Sequence, residues 1–340
     1  MNDLSGKHIS VLDSLRAFAA ISVCLFHFVC TTTGYISTKE ILEFFSIGKY
    51  GVQLFFVISG FVIPWAMYIA KYQISDFFIF FIKRFSRLEP PYIASLVTML
   101  VIIYARSIFI QPSNAQLHPS VNQVLLHFGY LIPFFSNYKW LNDVYWTLAI
   151  EFQYYLFIAL VFPVITKPNL LIRIAFYTLC IATSFTTKST FLPYWMPFFG
   201  LGIVLFLKLS NLISKHEYFV VTGLLTSFCL YKHPLPMVVF ALLPVITVLF
   251  WRDMKVSGLN FLGKFSYSIY LFHPVLGATF INVMSHKYNS DLEKILVITS
   301  GFIITLLSAW LTYLIVEKPS KTWSSKIRYK SSTTKNELTK

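Results

Sequence analysis

Charge is what this sequence has least of. Only 12% of its 340 residues are charged, where a soluble domain carries about 25%. The shortage excludes an ordinary soluble protein, because 56% of the chain is hydrophobic and apolar runs of about 17–25 residues, long enough to cross a bilayer as helices, recur from end to end. Acidic residues are the scarcer sign, 14 against 28 Lys and Arg, for a net charge of +14. The basic residues gather in short loops and in the last residues rather than on one amphipathic face. They read as topology signals, and nucleic acid is not expected as a partner. Cysteine is also rare. Cys24, Cys30, Cys180 and Cys229 all fall in apolar runs without CxxC spacing, so neither disulfides nor a metal site is expected. The alternating ten-residue segments of a barrel are missing as well, which leaves an all-α polytopic membrane protein.

Ten apolar runs stand out, near 9–31, 49–70, 91–110, 144–166, 170–186, 193–209, 218–233, 235–251, 265–285 and 293–316. An eleventh, 121–135, is short and carries His127, Gly129 and Pro133; it reads as an interfacial or re-entrant piece. With ten spans, the loops bearing Lys71, Lys83, Arg84 and Arg87, then Lys167, then Lys208 and Lys215, then Arg252, Lys255 and Lys264 all face the cytoplasm, as the excess of basic residues in short inner loops requires. Both termini are then cytoplasmic, and 111–143 is the long external segment. The expected organisation is one membrane domain, 1–323, and a basic polar tail, 324–340, whose "SSTTKNELTK" end is disordered.

Ionisable groups inside spans are expensive, so each is a candidate for function. In "LDSLRAFAAISVCLFHF", a helix advancing about 100° per residue puts Asp13, Arg16 and His27 on one stripe, with Arg16 and His27 about 16 Å apart along the axis. The plainer reading is an Asp–Arg pair that orients the helix and a histidine bonded to a carbonyl. "GVQLFFVISGFVIPW" carries Gln53, Ser59 and Gly60, a small pair suited to close helix packing. "FFIFFIKRFSRLEPPY" clusters Lys83, Arg84 and Arg87, either snorkelling to headgroups or clamping phosphate. "VYWTLAIEFQYYLF" brings Trp146 and sets Glu151 at a depth similar to His27, and "LGKFSYSIYLFHPVL" brings Ser266, Tyr267 and His273 beside a helix-kinking Pro274.

These five stretches, in this order and followed by "VEKPSKTW" at 316–323, resemble the membrane-bound acyltransferase family 3, which includes bacterial polysaccharide O-acetyltransferases. The resemblance implies transfer of an acyl group, most often acetyl, from coenzyme A to a sugar hydroxyl. It implies a catalytic role for His27, as general base or acyl-carrying nucleophile, and a requirement for Arg16. The family usually has Gly where Ser14 and Ala17 stand, and often Arg where Lys83 stands. On this reading Glu151 orients His27, while Lys83, Arg84 and Arg87 hold the coenzyme A phosphates. Asp13, Gln53, Ser59, Trp146, Tyr267 and His273 are then the expected substrate contacts. No permanently bound cofactor is expected; acetyl-CoA is the donor substrate, and the acceptor is a sugar of a surface polysaccharide or lipid-linked glycan. The expected setting is a bacterial inner membrane, among its lipids. The rival reading is a transporter or flippase, since intramembrane charges also line transport paths, although paired broken helices in corresponding halves are missing.

Overall fold

The computed structural model describes residues 9–109, 118–288 and 290–329. Among them there is no strand. The helices in chain order are α1 (Val11–Phe26), α2 (Lys39–Ser46), α3 (Gly51–Ile69), α4 (Phe77–Phe109), α5 (Val121–Phe128), α6 (Tyr145–Ile165), α7 (Leu170–Thr186), α8 (Leu192–Leu209), α9 (Lys215–Lys232) and α10 (Leu235–Phe250). Then come α11 (Ser257–Gly263), α12 (Ser266–Phe272), α13 (Thr279–Met284), α14 (Asp291–Thr312) and α15 (Lys318–Lys326). Six continuous helical stretches are long and apolar enough to cross a membrane: Val11–Thr31, Lys39–Ile69, Ile74–Ile108, Tyr145–Ile165, Leu192–Leu209 and Asp291–Lys326. α7 and α10 are shorter apolar helices. Each of the ten expected runs coincides with helix.

Without a hydrophobic force between helices inside lipid, close packing needs small residues. Gly60 on α3 lies against the backbone of Phe199 on α8, and Gly202 on α8 against that of Val57 and Gly60, so tightly that a Cβ at either glycine would clash. Gly263, at the end of α11, meets the backbone of Asp13 on α1 in the same way. Ser14 donates to the side chain of Asn260, and Ala17 is fully buried. It is Gly263 that permits the backbone-to-backbone contact with Asp13, which a Cβ there would prevent. The Ser59–Gly60 pair divides its work: the glycine packs, and the serine faces the site.

Three segments widen from α to π geometry: His27–Thr31, His273–Ala278 and Tyr313–Glu317. In the first, the Thr32 N–H reaches back five residues to the His27 carbonyl, and the Thr32 hydroxyl donates to the same oxygen at 2.6 Å. In the second, Pro274 has no N–H to give the carbonyl of Tyr270, which breaks the regular ladder.

The segment 121–135 folds as α5 and a short 3-10 turn, Ile132–Phe134. His127 anchors it. Its Nδ1 lies 2.7 Å from the Gln123 carbonyl, and its Nε2 accepts from the Leu141 N–H at 3.0 Å. At the C-terminal end, the expected domain boundary at 323 falls inside α15. The ordered chain continues past α15 to Tyr329, which is buried against Tyr72, because Ser324 donates to the Lys83 carbonyl and Lys83 Nζ donates to the Ile327 carbonyl. The "SSTTKNELTK" segment lies outside the described residues.

Candidate active site

A cavity of about 630 Å³ opens between α1, α3, α4, α6, α12 and the α14–α15 segment, within the range of small-molecule sites. Its wall carries Arg16, Lys83, Arg84, Arg87, Lys264 and Lys321, opposed by Asp13, Glu151 and Glu317. Six cations from four separate segments meet here, although the sequence shows only one obvious cluster. Glu317 and Lys321 pair at 2.6 Å, and Ser268 donates to the other Glu317 oxygen at 2.5 Å. Arg16 donates to Asp13 at 3.3 Å, as the i, i+3 spacing allows. Arg84 lies over the rings of Phe80 and Tyr155, 5.4 and 5.9 Å from their centroids. Arg84 and Arg87 make no hydrogen bond or ion pair among the described residues, and the Arg84 Nε is buried without a partner. Lys83, by contrast, is engaged by the Ile327 carbonyl at 3.0 Å and lies over Tyr329.

Deeper in, Glu151 accepts from Ser59 at 3.0 Å and from Tyr155 at 2.5 Å. It does not reach His27. The expected carboxylate-to-imidazole pairing is therefore replaced by a carboxylate held between two hydroxyls on the cavity wall. Phe55, Phe56, Thr147 and Tyr270 also line the cavity, and the Tyr270 and Thr147 hydroxyls bond at 2.9 Å.

His27 is not among the residues that line this space. It lies beyond Tyr270, paired with His273: Nε2 of His273 is 3.1 Å from Nδ1 of His27, and the rings are 5.0 Å apart. The Tyr270 ring sits 5.7 Å from that of His273. The stripe predicted from helical periodicity is thus interrupted: Arg16 faces the cavity, and His27 turns to a neighbour whose position the sequence of one helix could not reveal. Asp143, in the turn before α6, lies within electrostatic range of His27.

Of the expected substrate contacts, Asp13, Ser59 and Tyr267 do line the cavity. Gln53, Trp146 and His273 do not. Gln53 is buried in α3, Trp146 packs on Phe56 and Trp195, and His273 has no exposed surface. Two residues escaped the sequence reading. Tyr270 was hidden among aromatics, and Glu89 stood unremarked in "RLEPPY"; Glu89 is buried, accepts from Tyr130 at 2.9 Å, and leaves its other oxygen unpartnered among the described residues. That oxygen's residue, with Arg84, Glu151 and Tyr267, lines a side chamber of about 20 Å³, space for one water. The signal that could have found Glu89 is the one used elsewhere, a carboxylate within an apolar helix.

The model of the acyltransferase domain of family 3 matches residues 9–314. The chain belongs to acyltransferase family 3. It is similar to the O-acetyltransferase OatA of Staphylococcus aureus, 26% identical across 93% of this chain and 57% of that protein. It is also similar to the peptidoglycan O-acetyltransferase OatA of Listeria monocytogenes, 28% identical across 50% of this chain and 27% of that one. The chain therefore spans little more than half the length of the Staphylococcus relative. No solved structure matches it. Lys83, where the resemblance leads one to expect arginine, is an ammonium already bonded to the C-terminal segment.

Proposed function

We propose that this family 3 member is a membrane O-acyltransferase that takes an acyl group, most often acetyl, from an acyl-coenzyme A and gives it to a sugar hydroxyl of a surface polysaccharide or lipid-linked glycan. One observation carries the reading. Arg84 and Arg87 face the cavity without a hydrogen bond or ion pair of their own among the described residues, and a partly buried guanidinium that no carboxylate engages directly favours an anionic ligand. Phosphates of a nucleotide-bearing donor fit that need, since Arg presents planar bidentate donors. The relatives named as O-acetyltransferases support the transfer to oxygen.

The donor's headgroup rests at the cationic end, which positive loop charge assigns to the cytoplasmic face of the bacterial inner membrane. Its flexible arm carries the thioester past Tyr270 and Thr147 to His27. There the imidazole removes the proton of the sugar hydroxyl as its oxygen attacks the thioester carbonyl. The tetrahedral intermediate then collapses, the carbon–sulfur bond breaks, and the departing thiolate takes the proton from the imidazolium. The hydroxyl-bound Glu151 and Arg16 line the donor's route.

The test is turnover. Purified protein in nanodiscs, given radiolabelled acetyl-CoA and glycan acceptors, should produce acetylated glycan, and His27→Ala should not while still binding donor. Label retained on the donor with every acceptor, or passage of substrate across a sealed bilayer without product, would overturn the reading in favour of transport.

A further inference from the structure

His27 and His273 stand at matching places in the fold. Each is the first residue of a π turn, one continuing α1 and the other α12, and π turns within helices gather at functional sites. Their hydrogen bonds decide which nitrogen of each ring carries a proton. Nδ1 of His273 faces the carbonyl of Ile269 at 3.3 Å. A carbonyl only accepts, so Nδ1 of His273 holds the proton and its Nε2 presents a lone pair. That lone pair points at Nδ1 of His27, which is also 2.9 Å from the Val23 carbonyl. Two acceptors converge on this one nitrogen. A proton on His27 Nδ1 is shared between the two; the reverse arrangement, with His273 donating, would set bare nitrogens against two carbonyl oxygens. For two neutral rings the pattern has one consistent solution, and it leaves Nε2 of His27 without a proton.

We propose that His273 is a positioning residue that holds His27 in the tautomer whose Nε2 is the free base and that accepts from Nδ1–H while the ring is cationic. The proposal rests on the reading of His27 as the general base. It replaces the substrate-contact role expected for His273 from sequence, which its complete burial opposes. A carboxylate is the usual partner of a catalytic imidazole. Here a second, neutral imidazole takes that place, which spares the membrane interior a further charge.

Three variants separate the possibilities: His27→Ala, His273→Leu and His273→Gln, the last because its amide oxygen can stand near the vacated Nε2 and accept. Expected for His273→Leu is a fall in kcat of about 10- to 100-fold, as for lost partners of other functional histidines, with the KM for acetyl-CoA unchanged. His273→Gln should recover most of the loss. In histidine-labelled wild-type protein, nitrogen NMR should place the His27 proton on Nδ1, with slow exchange that His273→Leu abolishes and His273→Gln keeps. A raised KM with kcat intact would restore the substrate-contact role and overturn the proposal, as would a proton found on His27 Nε2. Should His273→Leu fail to fold, the wild-type tautomer and the Gln variant still decide. An active His27→Ala would sink the general-base reading itself; an inactive His27→Ala beside a fully active His273→Leu would sink only this proposal.

Discussion

The two ends of the site are built on opposite rules. At the mouth, side chains from α1, α4, α11–α12 and α15 converge with more positive than negative charge, and Arg84 and Arg87 form no ion pair among the described residues. At the far end, two histidines answer each other and their own backbone carbonyls, and little is left over but one ring nitrogen. On the proposed reading, the mouth receives the donor's headgroup and the dyad holds the reacting imidazole. Tyr270 lines the cavity and also packs on His273, its ring 5.7 Å from the imidazole. A charged headgroup can be held at one end while a small acyl group travels, so the separation by itself favours a long donor over a compact one.

Substitutions can break this comparison from either end. The largest effect belongs to the far end: His27→Ala should lower kcat by about 10²–10⁴-fold, the usual contribution of a positioned base, with donor affinity preserved in a binding assay. At the mouth, Arg87→Ala removes a charge-assisted contact of about 1.5–3 kcal/mol. It should therefore weaken acetyl-CoA affinity by roughly 10- to 100-fold, with kcat at saturation little changed; loss of kcat instead would mean that the two ends are not separate. Lys83→Ala should weaken donor affinity less than Arg87→Ala, by under about tenfold, because its ammonium already serves the Ile327 carbonyl. An equal effect would show that the C-terminal segment releases it on binding. The smallest change is expected for Tyr270→Phe, which deletes one neutral hydrogen bond of about 1 kcal/mol. Turnover should shift by less than about tenfold, with donor affinity untouched.

His127 and His27 show where sequence reading reaches its limit. Both sit in apolar stretches, and both place Nδ1 by the carbonyl four residues earlier. His127 spends its second nitrogen on the Leu141 N–H and is structural. His27 keeps its second nitrogen free of that kind of tie. Nothing local distinguishes them, because the deciding partner lies in each case on another segment.

For the same reason Glu151 and His27 were expected to pair. Their estimated depths agreed, but depth says nothing about rotation around the helix axis, and Glu151 turns to Ser59 and Tyr155. Lys264 and Lys321 were visible only as loop and tail charges until α11 and α15 carried them to the mouth.

The sequence alone determined that this chain is a bundle of apolar helices with basic loops, since a backbone in lipid must satisfy itself within each helix and that demand is met locally. It also determined the order of the family motifs and the cluster of Lys83, Arg84 and Arg87. Tertiary structure decided which groups share a space. The cations of distant segments meet in one cavity, and His27 meets His273 rather than Glu151, because side-chain partnership depends on helix rotation and on contacts between glycines such as Gly60 and Gly202, neither of which is encoded within one span.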